Sequence, residues 1–200
     1  MKSLSQYILE KSWDKYQSNT YDDPIKNAIY DYVAGLTVGV NGDLRKGVSR
    51  GSKKVIKRLD DAFNSEYASE DKLNVYRTVD WDYFENVYGC TQDNIEEFVG
   101  KKFLNKGYMS TTKLFKSPWG SRWTDGELVL HITSKNKVKY LDINTIFNPE
   151  EIDCEEQEEI LLGRNQEMTL TSYIPLSRSI FSATSRPVSG RYTLEYCLKR

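Results

Sequence analysis

The apolar residues of this chain change their spacing at Leu73. Before it they recur every three or four residues, the period of a helix face. After it they fall into short runs separated by turn residues, as strands do. Helices first and strands afterwards predict an α+β fold, because a parallel α/β sheet needs the two to alternate. The spacing predicts a helix over 3–16, with Leu4, Tyr7, Ile8 and Trp13 near one stripe. A second helix opens at Asp22-Asp23-Pro24, since proline is tolerated in a first helical turn, turns Ile25, Ala28, Ile29, Tyr32 and Val33 inward, and ends at Gly35. A short helix is expected over 41–46 and another over 53–64, the latter packing Val55, Ile56, Leu59 and Phe63. Strands are expected over 73–79, 107–112, 127–133, 138–143, 157–163, 166–174, 178–184 and 190–198, with a small helix over 93–99. The 200 residues suit one domain, with 1–70 its helical portion and 71–200 its β core.

Composition excludes several classes of function. A net charge of −1, with both signs mixed along the chain, argues against broad electrostatic binding to nucleic acid or acidic lipid. No apolar run approaches the ~20 residues of a membrane span. The first residues lack the apolar core of a signal peptide, so the chain is expected to work where it is made or to have lost a leader. Cys90, Cys154 and Cys197 are widely spaced and form no C-x-x-C pair, so neither a disulfide framework nor a zinc site is indicated. His131 is the single histidine, which excludes multi-histidine metal sites and the His-Glu-x-x-His motif; it reads as a packed or rim residue of a strand. No metal is expected. Gly47-Val-Ser-Arg-Gly51-Ser-Lys53 has the wrong spacing for a P-loop.

The acidic stretch Glu155-Glu156-Gln157-Glu158-Glu159 runs straight into Ile160-Leu161-Leu162. Alternate residues of a strand share a face, so Gln157, Glu159 and Leu161 lie on one side and Glu156, Glu158, Ile160 and Leu162 on the other. Burying an unpaired carboxylate costs several kcal/mol, so such a run is either a solvated loop or a site where specific partners hold the charge. Two further motifs lie upstream, also on predicted strands: Tyr76-Arg77, and Ser110-Thr111-Thr112 after Tyr108.

In that order the three motifs resemble the arginine, Ser-Thr-Ser and Glu-x-Glu series of the toxin-type mono-ADP-ribosyltransferases. The resemblance covers nearly the whole chain. Leu59-Asp60-Asp61-Ala62 followed by Leu73 to Arg77 looks like the helix-to-strand passage of the clostridial Rho-modifying exoenzymes and the enzymatic subunits of binary toxins. Asn41-Gly-Asp-Leu-Arg45 is similar to their Asn-x-x-x-Arg turn. Lys106-Gly-Tyr-Met-Ser-Thr-Thr112 is similar to their Lys-Gly-aromatic-x-Ser-Thr-Ser, and Glu159-Ile-Leu-Leu-Gly-Arg164 to their Glu-apolar-Leu-Leu-Pro-Arg. On these residues the chain is identified as a member of the family, which implies N-terminal helices packed on a two-sheet mixed β core.

The resemblance further implies that NAD is the substrate, that its nicotinamide–ribose bond is broken, and that ADP-ribose passes to an acceptor. The transition state resembles an oxocarbenium ion, which a nearby carboxylate stabilises. Glu159 takes that role, because the family's glutamate directly precedes three apolar residues. Ser110 orients it by a hydrogen bond, and Thr111 supports the strand and the NAD site. Arg77 anchors the dinucleotide, since a guanidinium matches phosphate oxygens in a two-pronged geometry. Asn41 and Arg45, one helical turn apart, are further NAD contacts. Trp119-Gly-Ser-Arg122 resembles an aromatic-x-x-Arg loop in which Trp119 packs on nicotinamide and Arg122 clamps phosphate; Trp123 competes for the stacking role.

The position two before Glu159 holds Gln157, and in the family glutamine there goes with asparagine or guanine acceptors, glutamate with arginine. An amide both donates to and accepts from another amide, which suits an Asn or Gln acceptor. The motif Glu156-Gln157-Glu158 supplies a complete Glu-x-Glu one residue earlier, but that register would put Glu158 at the ribose and turn Ile160 outward. The 144–156 loop is longer than in the Rho-modifying group, which bears on a small-GTPase target; Phe147 is its expected aromatic contact with the acceptor. The expected partners are therefore NAD and a host protein, for a soluble, monomeric, secreted or injected effector with NAD glycohydrolase side activity. Arginine-specific or guanine-specific transfer, and a catalytically inactive NAD-binding module, are the alternatives.

Overall fold

The computed structural model describes residues 21–37, 39–47, 52–114, 128–152, 158–175 and 192–198, with side chains up to residue 173. The expected helix over 3–16 and strand over 178–184 lie outside them. Asp23 opens the first described helix, α1 (Pro24–Val33), by accepting a hydrogen bond from the Ile25 amide at 2.7 Å, while Pro24 occupies the turn where its missing N–H has no role. α1 buries Ala28, Ile29 and Tyr30. A second helix, α2 (Val40–Lys46), is bracketed by Gly39 and Gly47 at φ 95° and 69°. Both angles belong to the left-handed region, where a side chain would be strained. α3 (Lys53–Ala62) buries Ile56, Leu59 and Ala62, one stripe of a helix whose other face is charged.

Among the described residues nine strands follow: β1 (Ala68–Asp71), β2 (Asn74–Val79), β3 (Lys102–Asn105), β4 (Met109–Thr112), β5 (Leu128–Ser134), β6 (Val138–Asp142), β7 (Glu159–Leu162), β8 (Gln166–Pro175) and β9 (Tyr192–Leu198). Helix α4 (Trp81–Tyr88), a 3-10 turn (Ile95–Phe98) and the short α5 (Ile143–Ile146) lie between them. The strands form one hydrogen-bonded series, β1-β6-β7-β4-β2-β5-β9-β8-β3, antiparallel except for the β5–β9 pair. The two-sheet core expected from the resemblance is hydrogen-bonded as one series with a weak seam. β2 and β4 are joined at the single pair Tyr76↔Thr112, whereas β2 pairs β5 from Asn74↔Thr133 to Val79↔Leu128.

The seam divides the sheet into halves whose inner side chains share one core. Met109, Ile160 and Leu162 from one half meet Val75, Val79, Leu128, Leu130 and Ile132 from the other. The opposite face of the first half carries the helices through a second core, where Ile29, Tyr30, Ile56 and Leu59 pack on Leu141, Ile143, Leu161 and Tyr108. Strand alternation is thus read directly along β7: Ile160 and Leu162 enter the inner core, Leu161 the helical one.

Candidate active site

Along the seam, where β2 and β4 stop pairing, the helices and strands enclose a polar cavity of about 560 Å³. That falls within the ~300–1,000 Å³ range of small-molecule sites. Its lining includes Tyr32 from α1, Asn41 and Arg45 from α2, Arg77 and Thr78 from β2, and Ser110 from β4. Arg77 Nη1 donates to the Ser110 carbonyl at 2.7 Å, so the guanidinium occupies the seam where a ladder bond would otherwise run. The Nε atoms of Arg45 and Arg77 are buried without a hydrogen-bond partner among the described residues. Buried donors of this kind are rare unless a ligand supplies the acceptor. Two guanidiniums with free donors at one cavity are a donor set fitted to a diphosphate.

Glu159 begins β7 opposite Thr112 and is 4% exposed. Burial pushes its carboxyl from 4.5 up to about 7, and this outweighs the lowering by a hydrogen bond with Ser110 and by the Arg77 charge. A carboxylate with such a pKa is partly protonated at neutral pH and can act as acid, base or charge stabiliser. Glu158, by contrast, stands outside the strand, is half-buried, and has φ 43°. That left-handed turn interrupts strand alternation before Glu159, so the alternation expected across 156–162 starts only at Glu159. Lys113 N bonds the Glu158 carbonyl at 3.2 Å, holding the turn against the end of β4.

Two sequence expectations, for Phe147 and Thr111, need correction. Phe147 is not an exposed aromatic of the loop. It is 4% exposed and packs between Tyr21 and Tyr30, with ring centroids 5.7 Å and 6.0 Å away, because burying an aromatic ring against α1 is worth more than leaving it on a loop. The Lys26–Glu151 ion pair fastens the same loop to α1. Thr111 is fully buried on the face of β4 turned away from Ser110, and its hydroxyl donates to the Ile160 carbonyl at 2.8 Å, so it staples β4 to β7 and takes no part in the cavity lining. Asn41 lines the cavity, but its amide is largely engaged. Nδ2 donates to the Tyr32 hydroxyl at 2.7 Å and to the Tyr108 carbonyl at 3.1 Å, and Oδ1 accepts from Tyr108 N at 2.8 Å. Asn41 thereby acts as a surrogate strand for Tyr108, which requires Gly107: a Cβ there would stand 2.6 Å from Asn41 Oδ1.

Gln157, Trp119, Trp123 and Arg122 lie outside the described residues. His131 is on a strand, as expected, half-buried and stacked on Tyr76 with centroids 4.7 Å apart. Sequence reasoning missed Tyr83 on α4. Its hydroxyl accepts from Arg45 Nη2 at 2.7 Å, and its ring lies 5.0 Å from the Arg45 guanidinium carbon and 5.7 Å from that of Arg77. Its only sequence signal was its position just after the Tyr76-Arg77 strand. Among the described residues, no group of three or more His, Cys, Asp or Glu is arranged to hold a metal, and no helix is long and apolar enough to cross a membrane.

A family model described as ADP-ribosyltransferase exoenzyme matches residues 10–185. No curated protein matches. Among solved structures, the chain is similar to Plx2a, an ADP-ribosyltransferase toxin from Paenibacillus larvae, at 20% identity and a TM-score of 0.63, covering 96% of this chain and 92% of that one. It is similar to C2-I, the enzymatic component of the C2 toxin from Clostridium botulinum, at 16% identity and a TM-score of 0.67, covering 94% of this chain but 46% of that one. A third likeness is to BECa, an ADP-ribosylating toxin of a binary enterotoxin of C. perfringens solved with NADH, at 16% identity and a TM-score of 0.66, covering 98% and 47%.

Proposed function

The chain belongs to the ADP-ribosyltransferase exoenzyme family, and from that premise we propose that it uses Glu159 to break the nicotinamide–ribose bond of NAD and transfers ADP-ribose to an Asn or Gln side chain of a target protein. It is an NAD-dependent mono-ADP-ribosyltransferase. The observation that supports the assignment of roles is the burial of Glu159 beside Ser110 and within the field of Arg77, two residues that line the cavity, where the Nε donors of Arg45 and Arg77 have no partner among the described residues.

Arg77 and Arg45 bind the diphosphate and fix the ribose over Glu159. As the C–N bond to nicotinamide breaks, its electron pair leaves with the nicotinamide and positive charge develops on the ribose. The Glu159 carboxylate, ionised and poorly solvated, lowers the energy of that charge more than a solvated carboxylate would. The acceptor amide nitrogen then bonds the anomeric carbon and releases a proton. Water in the acceptor's place gives NAD hydrolysis. Ser110 favours the ionised form of Glu159, the direction its hydrogen bond acts on the carboxyl. Gln157 is the acceptor-side residue of this reading, its amide pairing with the amide to be modified.

The test is radiolabelled NAD in a host-cell lysate, with mass spectrometry of the modified band; small GTPases are among the targets to score. Glu159→Gln should abolish both hydrolysis and transfer, while Gln157→Ala should spare hydrolysis and impair transfer. Modification at arginine, or loss of hydrolysis in Glu158→Gln with Glu159→Gln still active, would sink the reading.

A further inference from the structure

We propose that Tyr83 is a positioning residue for the dinucleotide: it holds Arg45 and Arg77 together as a preformed diphosphate receptor. The proposal rests on the reading of the cavity as an NAD site. The two guanidiniums come from different parts of the chain, Arg45 from helix α2 and Arg77 from strand β2, and like charges brought to one cavity repel each other. Something must hold them before the anion arrives. Tyr83 touches both. Its hydroxyl oxygen accepts from Arg45 Nη2 at 2.7 Å, and the two guanidinium carbons stand 5.0 Å and 5.7 Å from its ring centroid. Both distances lie within the ~6 Å reach of a cation–π contact, where the negative ring face attracts the cation.

The phenol is well placed to hold without competing. A carboxylate in the same position would pair with the arginines and have to be displaced by the diphosphate. A neutral ring and hydroxyl add no countercharge and leave the two Nε donors without a partner among the described residues. The ring is itself held. Tyr83 lies on α4, whose Phe84 is fully buried and packs on Trp81 and Tyr88 at 6.0 Å and 4.9 Å. Because α4 follows β2 directly, anchoring Phe84 also sets Tyr83 against Arg77. A receptor built in advance binds more tightly because its ordering cost is not charged against the ligand.

The experiment titrates the full chain with NADH, whose reduced ring is not a leaving group, and measures NAD hydrolysis in parallel. Tyr83→Phe, which keeps the ring and loses the hydrogen bond to Arg45, should raise the Kd for NADH about fivefold to tenfold. Tyr83→Leu, which loses both, should raise it about thirtyfold. Each should raise KM for NAD by the same factor and leave kcat unchanged. In an Arg45→Ala background, Tyr83→Phe should have no further effect on Kd. An unchanged Kd in folded Tyr83→Phe, a fall in kcat at constant Kd, or full additivity with Arg45→Ala would overturn the proposal. If Tyr83→Leu does not fold, the Phe variant and the double-mutant cycle decide the matter alone. Failure of the wild-type chain to bind NADH at all would overturn the NAD-site reading itself.

Discussion

Two arginine–carboxylate neighbourhoods lie at opposite ends of β7 and are built in opposite ways. At one end of β7, Arg164 grips Asp60 with two bonds, Nε to Oδ1 at 2.8 Å and Nη2 to Oδ2 at 2.7 Å, and the Tyr108 hydroxyl adds a third at 2.8 Å. Burial, the largest single influence on the Asp60 carboxyl, would raise it, but those hydrogen bonds and the Arg164 charge together hold it below its ordinary value. At the other end, burial lifts the Glu159 carboxyl to about 7 despite its neighbour Arg77, whose own hydrogen bond goes to the Ser110 carbonyl. The first neighbourhood is satisfied and ties α3 to the turn after β7. The second keeps a carboxylate and two guanidiniums short of partners, which is useful only if a ligand completes it. Paired charge here is structural, and charge left unpaired marks the site.

Exchanging the treatment of the two carboxylates gives the largest expected effects. Glu159→Gln should lower NAD hydrolysis by about a thousandfold, the scale on which losing one preorganised charge stabiliser acts. Asp60→Asn should do the reverse. It leaves hydrolysis per folded molecule unchanged and lowers unfolding stability by about 2 kcal/mol, the loss of charge-assisted hydrogen bonds at a partly exposed site, measured by urea unfolding. If Asp60→Asn were catalytically dead but stable, the contrast between the two neighbourhoods would collapse.

Acidity sharpens the same contrast. Glu159 has its folded-state carboxyl raised, so between pH 4.5 and about 7 the unfolded chain releases a proton that the folded chain retains. The folded state binds more protons there, and stability falls as pH rises through that window, then levels off. With a shift from 4.5 to about 7, the loss is about 3 kcal/mol at most. Glu159→Gln should therefore melt several degrees higher than wild type at pH 8 and no higher at pH 4.5, checked by calorimetry at both. Hydrolysis by the wild type should rise with pH through about 7 as the carboxylate ionises. Asp60, with its carboxyl lowered, contributes in the opposite sense: its stability is present above the ordinary carboxylate range and lost on acidification.

Much of the site was legible because it is written on strands. Arg77, Ser110 and Glu159 each sit in a short run with a definite face, and Ile160 to Leu162 follow the alternation their residue types predict. Asp23-Pro24 announced α1 through local cap chemistry, which needs no distant partner. What stayed hidden depended on distance. Phe147 read as a loop aromatic because Tyr21 and Tyr30, which bury it, lie at the far end of the chain. Helix α4 is short and rich in aromatics of middling helix propensity, and Tyr83 was hidden with it. Asn41 was legible as a cavity residue but not as the clasp on Tyr108, since a side chain taking a strand's place leaves no trace in spacing.

The smallest effect tests the least conspicuous residue. Thr111 lies between Ser110 and Thr112 in a motif whose resemblance assigned it to NAD, yet its hydroxyl is buried against the Ile160 carbonyl on the side away from the cavity. Thr111→Val keeps the branched shape that suits a strand and removes that one donor. The Ile160 carbonyl faces Thr111 across the β4–β7 ladder and loses only the added side-chain bond, so the expected cost is about 1 kcal/mol in unfolding free energy. Because β4 and β7 carry Ser110 and Glu159, a staple that set their spacing for catalysis would show as a fall in kcat. A staple that serves stability alone would leave both KM for NAD and kcat at wild-type values while the urea midpoint drops. The second result is expected, since the pairs from Met109↔Leu162 to Thr112↔Glu159 fix the register of the two strands without the hydroxyl.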